Sequence, residues 1–426
     1  MKVFFFVLAF VSLESYAEYS SMGEVALEYR QFKDDDSKTT EDTGVAVFSR
    51  LESRFEDDFY SHVLRGFARV DSKEPSRDLI WVEDAYASYF LDQEKLWRVS
   101  AGYKIYNWTG LEAFRPNDSV NSRNYDAPLE KPEKRGELGV ELEIPYYEGA
   151  LTLFVFPRTE APHFPGAASR LGLGTQIAEP LWVDGLEATS DRWHPQYAAR
   201  LTQLIMGADV SIHYLQHFDR LNPIIGTSDY SIVGMNAIPN QGTSSMNVPH
   251  YFQVAQFGAS MQMPVFDAWL FKLEGAKRSF EKDLSVLTAS GLQKPVDHSE
   301  VALGLEYATS HADGSDSTVF LEAVKILGTE EAEAEALTAF QNDVFIGIRH
   351  VRNDIMGTEF LLSAIFDLKR THEKLYNFQF SRRLSDVWKV GATLRVYDAP
   401  KQAATPVGLE VLDQDHHISL SLSRFF

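Results

Sequence analysis

Cysteine is absent from this chain of 426 residues, which excludes disulfides, a lipid-modified N-terminal cysteine and any thiolate metal site. Stability must come from backbone pairing and burial. No apolar run reaches the roughly 18 residues that a membrane-crossing helix needs. A surplus of positive charge is also missing: the net charge is −21, which argues against a nucleic-acid partner, since phosphate binding requires a basic footprint. There is no repeat of fixed period, which argues against propellers and solenoids. Neither Gly-x-Ser-x-Gly nor His-Glu-x-x-His occurs, so the common hydrolase and metalloprotease arrangements have no foothold.

What is present is alternation. Ile418, Leu420, Leu422 and Phe426 share one parity, and His417, Ser419, Ser421 and Ser423 the other, with Arg424 the exception. A strand with one oily and one polar face therefore ends on an aromatic residue. At the other end Lys2 precedes an apolar run from Val3 to Leu13 and then Ser15-Tyr16-Ala17, the pattern of a cleavable signal peptide over residues 1–17. The expectation is export, followed by a single domain over residues 18–426. Aromatics at 13% and apolar residues at 44% coexist with a mean hydropathy of only −0.22. A barrel reconciles these values, because it needs oil on just one residue in two.

Within a bilayer every backbone N–H and C=O must find a partner, so strands can span only if their sheet closes on itself. The segment 137–144 shows the required pattern: Leu138, Val140, Leu142 and Ile144 face one way, Glu137, Gly139, Glu141 and Glu143 the other. A tight turn at Pro145 to Gly149 follows, and Leu151, Leu153 and Val155 resume the apolar face, which reads as a hairpin. Extended along the chain, the pattern predicts eighteen strands near 23–32, 43–56, 58–71, 80–90, 97–108, 135–145, 150–157, 195–205, 208–218, 249–263, 268–280, 298–308, 317–326, 342–352, 357–368, 374–384, 387–398 and 415–426. Sixteen is the alternative count. Long and short connections alternate, with 109–134, 158–194 and 219–248 the longest outer loops, and an even count places both termini on the periplasmic side. The fold class is all-β, a transmembrane antiparallel up-and-down barrel. Tyr29, Trp81, Trp97, Tyr103, Trp269, Tyr307, Tyr376, Trp388 and Tyr397 near strand ends suit interfacial girdles.

The architecture resembles Gram-negative outer-membrane porins and substrate-specific channels. The final strand, His416 to Phe426, looks like the signal that barrel-assembly machinery reads in that class, which gives Phe426 an implied role in assembly. A narrower likeness lies in Val82-Glu83-Asp84-Ala85-Tyr86, Ala101-Gly102-Tyr103-Lys104, Trp108, and Phe114-Arg115-Pro116-Asn117-Asp118-Ser119-Val120-Asn121. This is similar to a segment of alginate-export-type barrels, with Thr109 where glycine is expected after the tryptophan.

If the oily parity faces lipid, the other lines a lumen. The inward set then includes a basic arc of Arg50, Arg54, Arg65, Arg69, Lys104, Arg349, Arg383, Lys389 and Arg395. Facing it is an acidic arc of Glu137, Glu141, Glu143, Glu300, Glu306 and Glu322. Such arcs set up a transverse field that sorts solutes by charge, unless the charges pair locally, as Glu52 could with Arg50 and Arg54. Loops 109–134 and 158–194 are long and rich in proline and tryptophan, which marks functional loops. Either one of them folds inward and narrows the pore, with Arg115, Asp118 and Arg123 near the constriction, or they cap the rim. His213, His217 and Asp209 share a strand face, but histidines at i and i+4 on a strand are about 13 Å apart, too far to share a metal. No cofactor, metal or catalysis is expected.

The reading is an outer-membrane porin or substrate-specific diffusion channel for small hydrophilic solutes, with anions among the candidates. Its expected surroundings are outer-membrane lipid and lipopolysaccharide, with homo-oligomerisation left open. The alternatives are a non-conducting barrel acting as receptor, adhesin or polysaccharide exporter, and an outer-membrane enzyme.

Overall fold

A computed structural model describes residues 18–33, 40–172, 176–227, 230–233, 236–239, 247–288, 290–402 and 408–426. The expected signal peptide, the acidic run Asp34 to Asp36 and part of loop 219–248 lie outside these residues. Eighteen strands form one closed wall. The first nine are β1 (Glu18–Phe32), β2 (Thr43–Glu56), β3 (Tyr60–Asp71), β4 (Leu79–Phe90), β5 (Arg98–Lys104), β6 (Glu137–Tyr146), β7 (Gly149–Phe156), β8 (Gln196–Ile205) and β9 (Ala208–Phe218). The second nine are β10 (Asn247–Val265), β11 (Trp269–Phe280), β12 (His298–Ser310), β13 (Asp316–Leu327), β14 (Asn342–Val351), β15 (Glu359–Asp367), β16 (Lys374–Arg383), β17 (Trp388–Asp398) and β18 (His417–Phe425).

Each strand pairs antiparallel with its sequence neighbour in the wall, and β1 pairs antiparallel with β18 from Glu24↔Phe425 to Phe32↔His417. The seam ends in a reciprocal pair of backbone bonds, Gly23 N–H to Phe426 O at 2.9 Å and Phe426 N–H to Gly23 O at 3.0 Å. From Gly23 onward the described wall has no free edge, which answers the backbone problem that lipid poses. Among the described residues no helix is long and apolar enough to cross a membrane.

The short turns use the left-handed backbone that tight hairpins demand: Met206 and Gly207 both have positive φ, 52° and 82°. Alternation holds along the wall. Leu51, Val140, Leu303, Ile346, Leu362 and Leu420 are exposed on the outside, forming the apolar outer surface that lipid would cover.

The inside is less uniform than the alternation suggests. Trp81 and Tyr397, expected in the aromatic girdles, point inward and are buried. Trp81 packs on Phe67 and meets His163 edge-on. Phe320, Val324, Phe345, Ile365 and Leu375 also face inward and form an apolar core with Leu111, Ala113 and Phe114 of the connection after β5. Parity flips once within β4. A register shift opposite Arg65 and Gly66 turns both Glu83 and Asp84 into the interior, as a β-bulge does, and Val82 and Ala85 therefore share the outer face.

Candidate functional site

β5 stops at Lys104 rather than near Trp108, because the chain finds new partners there. The Asp84 carboxylate accepts the Ile105 N–H at 3.0 Å, and Asn121 accepts the Tyr106 N–H at 2.7 Å while donating to Lys104 O and Arg135 O. From this point residues 105–136 run through the barrel interior and contact the inward faces of strands all around it. Trp108 packs with Phe154, Ala198 and Leu215 of the β7–β9 wall.

Inward carboxylates hold the loop backbone. Glu274 on β11 accepts from Gly110 N–H at 2.6 Å and from Thr109 Oγ1 at 2.8 Å. Glu322 on β13 accepts from the N–H groups of Glu112, Ala113 and Phe114 at 2.6, 2.9 and 3.3 Å. Arg278 on β11 donates to Pro116 O at 2.6 Å, Asn117 donates to Ala259 O at 2.8 Å, and Ser119 donates to Gln256 at 3.0 Å. The approach is so close that a Cβ at Gly258 would lie 2.4 Å from Asn117 Oδ1 and 2.2 Å from His213. Glycine is what lets the loop reach this wall.

The rest of the loop is pinned by ion pairs. Arg395 on β17 forms a bidentate pair with Glu130. Arg69 on β3 bridges Glu28 at 3.0 Å and Glu133 at 2.9 Å, and Asp126 meets Arg77 at 2.9 Å and Arg30 at 3.3 Å. Within the loop, Lys134 Nζ donates to Tyr106 O, Asn107 and Asp118. Burial pushes this amine down to about 8 against the pull of Asp118. Loop 158–194 packs against the infolded one, and its Leu171 reaches the interior cavity. His163 exchanges backbone bonds with Arg123 and Tyr125, Glu160 pairs with Arg135 at 3.2 Å, and Trp182 packs on Phe218 and Tyr251.

The charged residues expected on the inward parity lie there, and most are neutralised by neighbours rather than left as opposing arcs. Arg50 pairs with Glu83 and Arg65 with Asp84. Lys104 pairs with Glu141, a member of the acidic arc on the adjacent strand. Arg54 pairs with Glu52 and Arg349 with Glu112 and Glu359. On the acidic side Glu137 meets Arg220, Glu143 meets Arg98, Glu300 meets Arg278, and Glu306 meets Lys272. Among the described residues Arg383 and Lys389 have no ion pair; Arg383 is exposed at the C-terminal end of β16. The two separated arcs thus resolve into a set of local pairs.

Arg115 donates to Glu112 O at 2.9 Å, and Arg123 donates to Asp118 O at 2.6 Å with the Asp118 carboxylate 3.9 Å away. Both arginines border a second cavity of about 260 Å³ with Phe114, Leu129 and Phe340. His213 and His217 are buried; His213 packs at a tilt against Trp108, ring centres 4.8 Å apart, and meets Gln256 at 3.1 Å, a packing role. Sequence reasoning missed Glu28, Glu83, Asp84, Glu130 and Glu133. The first shares the inward parity of β1 and was open to the same reading. Glu83 and Asp84 were hidden by the bulge, and Glu130 and Glu133 by the loop's irregular path.

A cavity of about 640 Å³ remains between the infolded loop and the wall. Asp126, Pro128, Lys131 and Glu133 line one side, and Glu24, Glu28, Lys389, Thr393, Arg395, Ser419 and Ser421 the other. The closed wall, the apolar outer surface and a loop docked across a polar interior define a porin-like β-barrel. No protein-family model and no curated protein matches the chain. Among solved structures it is similar to OccK11 (OpdR) of Pseudomonas aeruginosa, at 12% identity over 95% of this chain and 96% of that one, with a TM-score of 0.47. It is also similar to Salmonella typhi OmpF in complex with daunomycin, at 8% identity over 96% and 97%, with a TM-score of 0.44. A mutant Rh. blastica porin follows at 11% identity over 96% and 100%, with a TM-score of 0.40.

Proposed function

We propose that this chain is a passive outer-membrane channel for small hydrophilic solutes, narrowed by the loop 105–136. The observation that carries the reading is the polar cavity of about 640 Å³ between that loop and the wall of β1 and β15–β18. Hydroxyls of Thr393, Ser419, Ser421 and Ser423 on one side and charged groups on the other suit a hydrated solute, which would exchange water contacts for protein ones as it passes. Transport is down a gradient and nothing covalent is involved.

A preference for anions is supported by two cations on this route, Lys131 and Lys389, which have no ion pair among the described residues, against one such carboxylate, Glu24. The pairs that hold the loop leave little net field of their own. The apolar outer face suits outer-membrane lipid, and the closing strand ending on Phe426 suits recognition by an assembly machinery. Planar-bilayer conductance of the refolded barrel under a salt gradient tests the proposal. Discrete, stable opening steps with an anion-selective reversal potential are expected, and a folded but silent barrel would favour a receptor or adhesin instead.

A further inference from the structure

The last long outer connection and the short one before it meet over the rim of β15–β18. Connection 368–373 supplies His372 and Glu373, and the 3₁₀ turn Gly408–Leu412 supplies Glu410. His372 Nε2 lies 2.9 Å from Glu410 Oε1 and 4.0 Å from Glu373 Oε1. One ligand atom from each residue falls within 4.8 Å of the others. Two ligands on a tetrahedral zinc ion, each about 2.1 Å from it, stand roughly 3.4 Å apart. The three side chains bracket that spacing and need only small rotations to reach it.

A hydrogen-bonded histidine in an ion-pair cluster would look similar, and a further observation separates the two cases. Glu373 is fully buried, yet its Oε1 accepts no hydrogen bond. The nearest donor, Arg370 Nε at 3.1 Å, already gives its hydrogen to Asp367 Oδ2 at 2.9 Å. Two carboxylates, Asp367 and Glu373, therefore share a single guanidinium N–H. A buried carboxylate oxygen held by an ion pair alone, with no hydrogen bond of its own, is under-satisfied, and it faces the point where His372 Nε2 and Glu410 also converge. The His372 side chain is 28% exposed, which leaves a path in for an ion and room for a water ligand.

We infer that His372, Glu373 and Glu410 bind a divalent transition-metal ion that staples the two connections together. One imidazole with two carboxylates suits zinc; calcium would call for six to eight oxygens. Ordered contacts already flank the site: Glu373 Oε2 accepts Leu409 N–H at 2.8 Å, Arg370 donates to Ala339 O at 3.0 Å, and Glu410 Oε1 accepts Gln402 N–H at 3.3 Å. Such a second shell fixes ligand orientation. Because the ligands come from two loops, binding would close them into one unit and protect them from opening. The inference is independent of whether the barrel conducts.

The test is calorimetric titration of the tag-free, chelator-washed barrel with zinc chloride, alongside the absorption spectrum of the cobalt-substituted protein and proteolysis of the rim loops. One zinc per barrel is expected, with slower cleavage near Arg370 when zinc is present. His372→Ala and Glu410→Gln should each weaken binding at least tenfold in barrels that still show heat-modifiable migration. Absence of stoichiometric zinc in the wild-type barrel, or unchanged binding in folded His372→Ala, overturns the site.

Discussion

Arg395 and Glu130 stand 265 residues apart in sequence and form a buried bidentate pair across the lumen. Their side chains are only 2% and 9% exposed, so removing one partner strands the other charge, an effect worth about 3–5 kcal/mol. Glu130→Gln is expected to loosen the infolded loop without unfolding the wall, whose strands pair independently of it. Single-channel recordings should show larger or flickering steps, and Glu130→Gln combined with Arg395→Gln should be closer to wild type than either alone. Identical, quiet steps in all three variants would show that this pair does not hold the loop.

Glu322 is the other anchor. Three consecutive N–H groups of the loop converge on its carboxylate, and hydrogen bonds to a charged acceptor are each worth roughly 1.5–3 kcal/mol. Glu322→Gln turns an NH2 group toward some of those donors. Faster protease cleavage within residues 109–134, with the barrel otherwise heat-stable, is the expected result.

Acid should release the loop within a defined window. Burial pushes Asp126 up, but Arg30 and Arg77 outweigh it and hold this carboxyl below its usual value. Glu133 behaves alike, with burial overcome by Arg69 and by the hydrogen bond from Asn124. A carboxyl with a lowered folded-state pKa contributes stability that is complete above its unfolded value, about 4, and is lost as pH falls through the folded one. Conductance should therefore match at pH 7 and pH 5 and become noisy below about pH 4. Noise that sets in already at pH 6 would point to a different group.

The unpaired cations predict selectivity. Lys131→Gln with Lys389→Gln removes both from the cavity wall while leaving every described ion pair intact. The reversal potential in a salt gradient should move toward cations. Neutralising Arg50 and Arg65 instead should shift it less, because their charges are already matched by Glu83 and Asp84.

The wall was legible because lipid on one side imposes a two-residue period, and strands such as β2 and β9 can be bounded from that alone. Phe345 and Tyr397 were not, since an aromatic on the inward parity obeys the same alternation as a polar residue there. The loop was legible as unusual but not as infolded. Its course is set by Glu274, Glu322 and Arg278 on distant strands, and no local signal in residues 105–136 names those partners. The metal-binding candidates were invisible for the same reason, with His372 and Glu410 on separate connections.

The reciprocal bonds between Gly23 and Phe426 join the two ends of the wall. Bringing together ends about 400 residues apart carries a loop-closure entropy of about 5 kcal/mol, and nothing offsets it until the last strand exists. Until that strand pairs, the sheet keeps two raw edges, each able to pair with any other extended chain. The ring on Phe426 lies where a Cβ on Gly23 would sit, and a chain lacking this closing strand would be an adhesive ribbon rather than a smaller barrel.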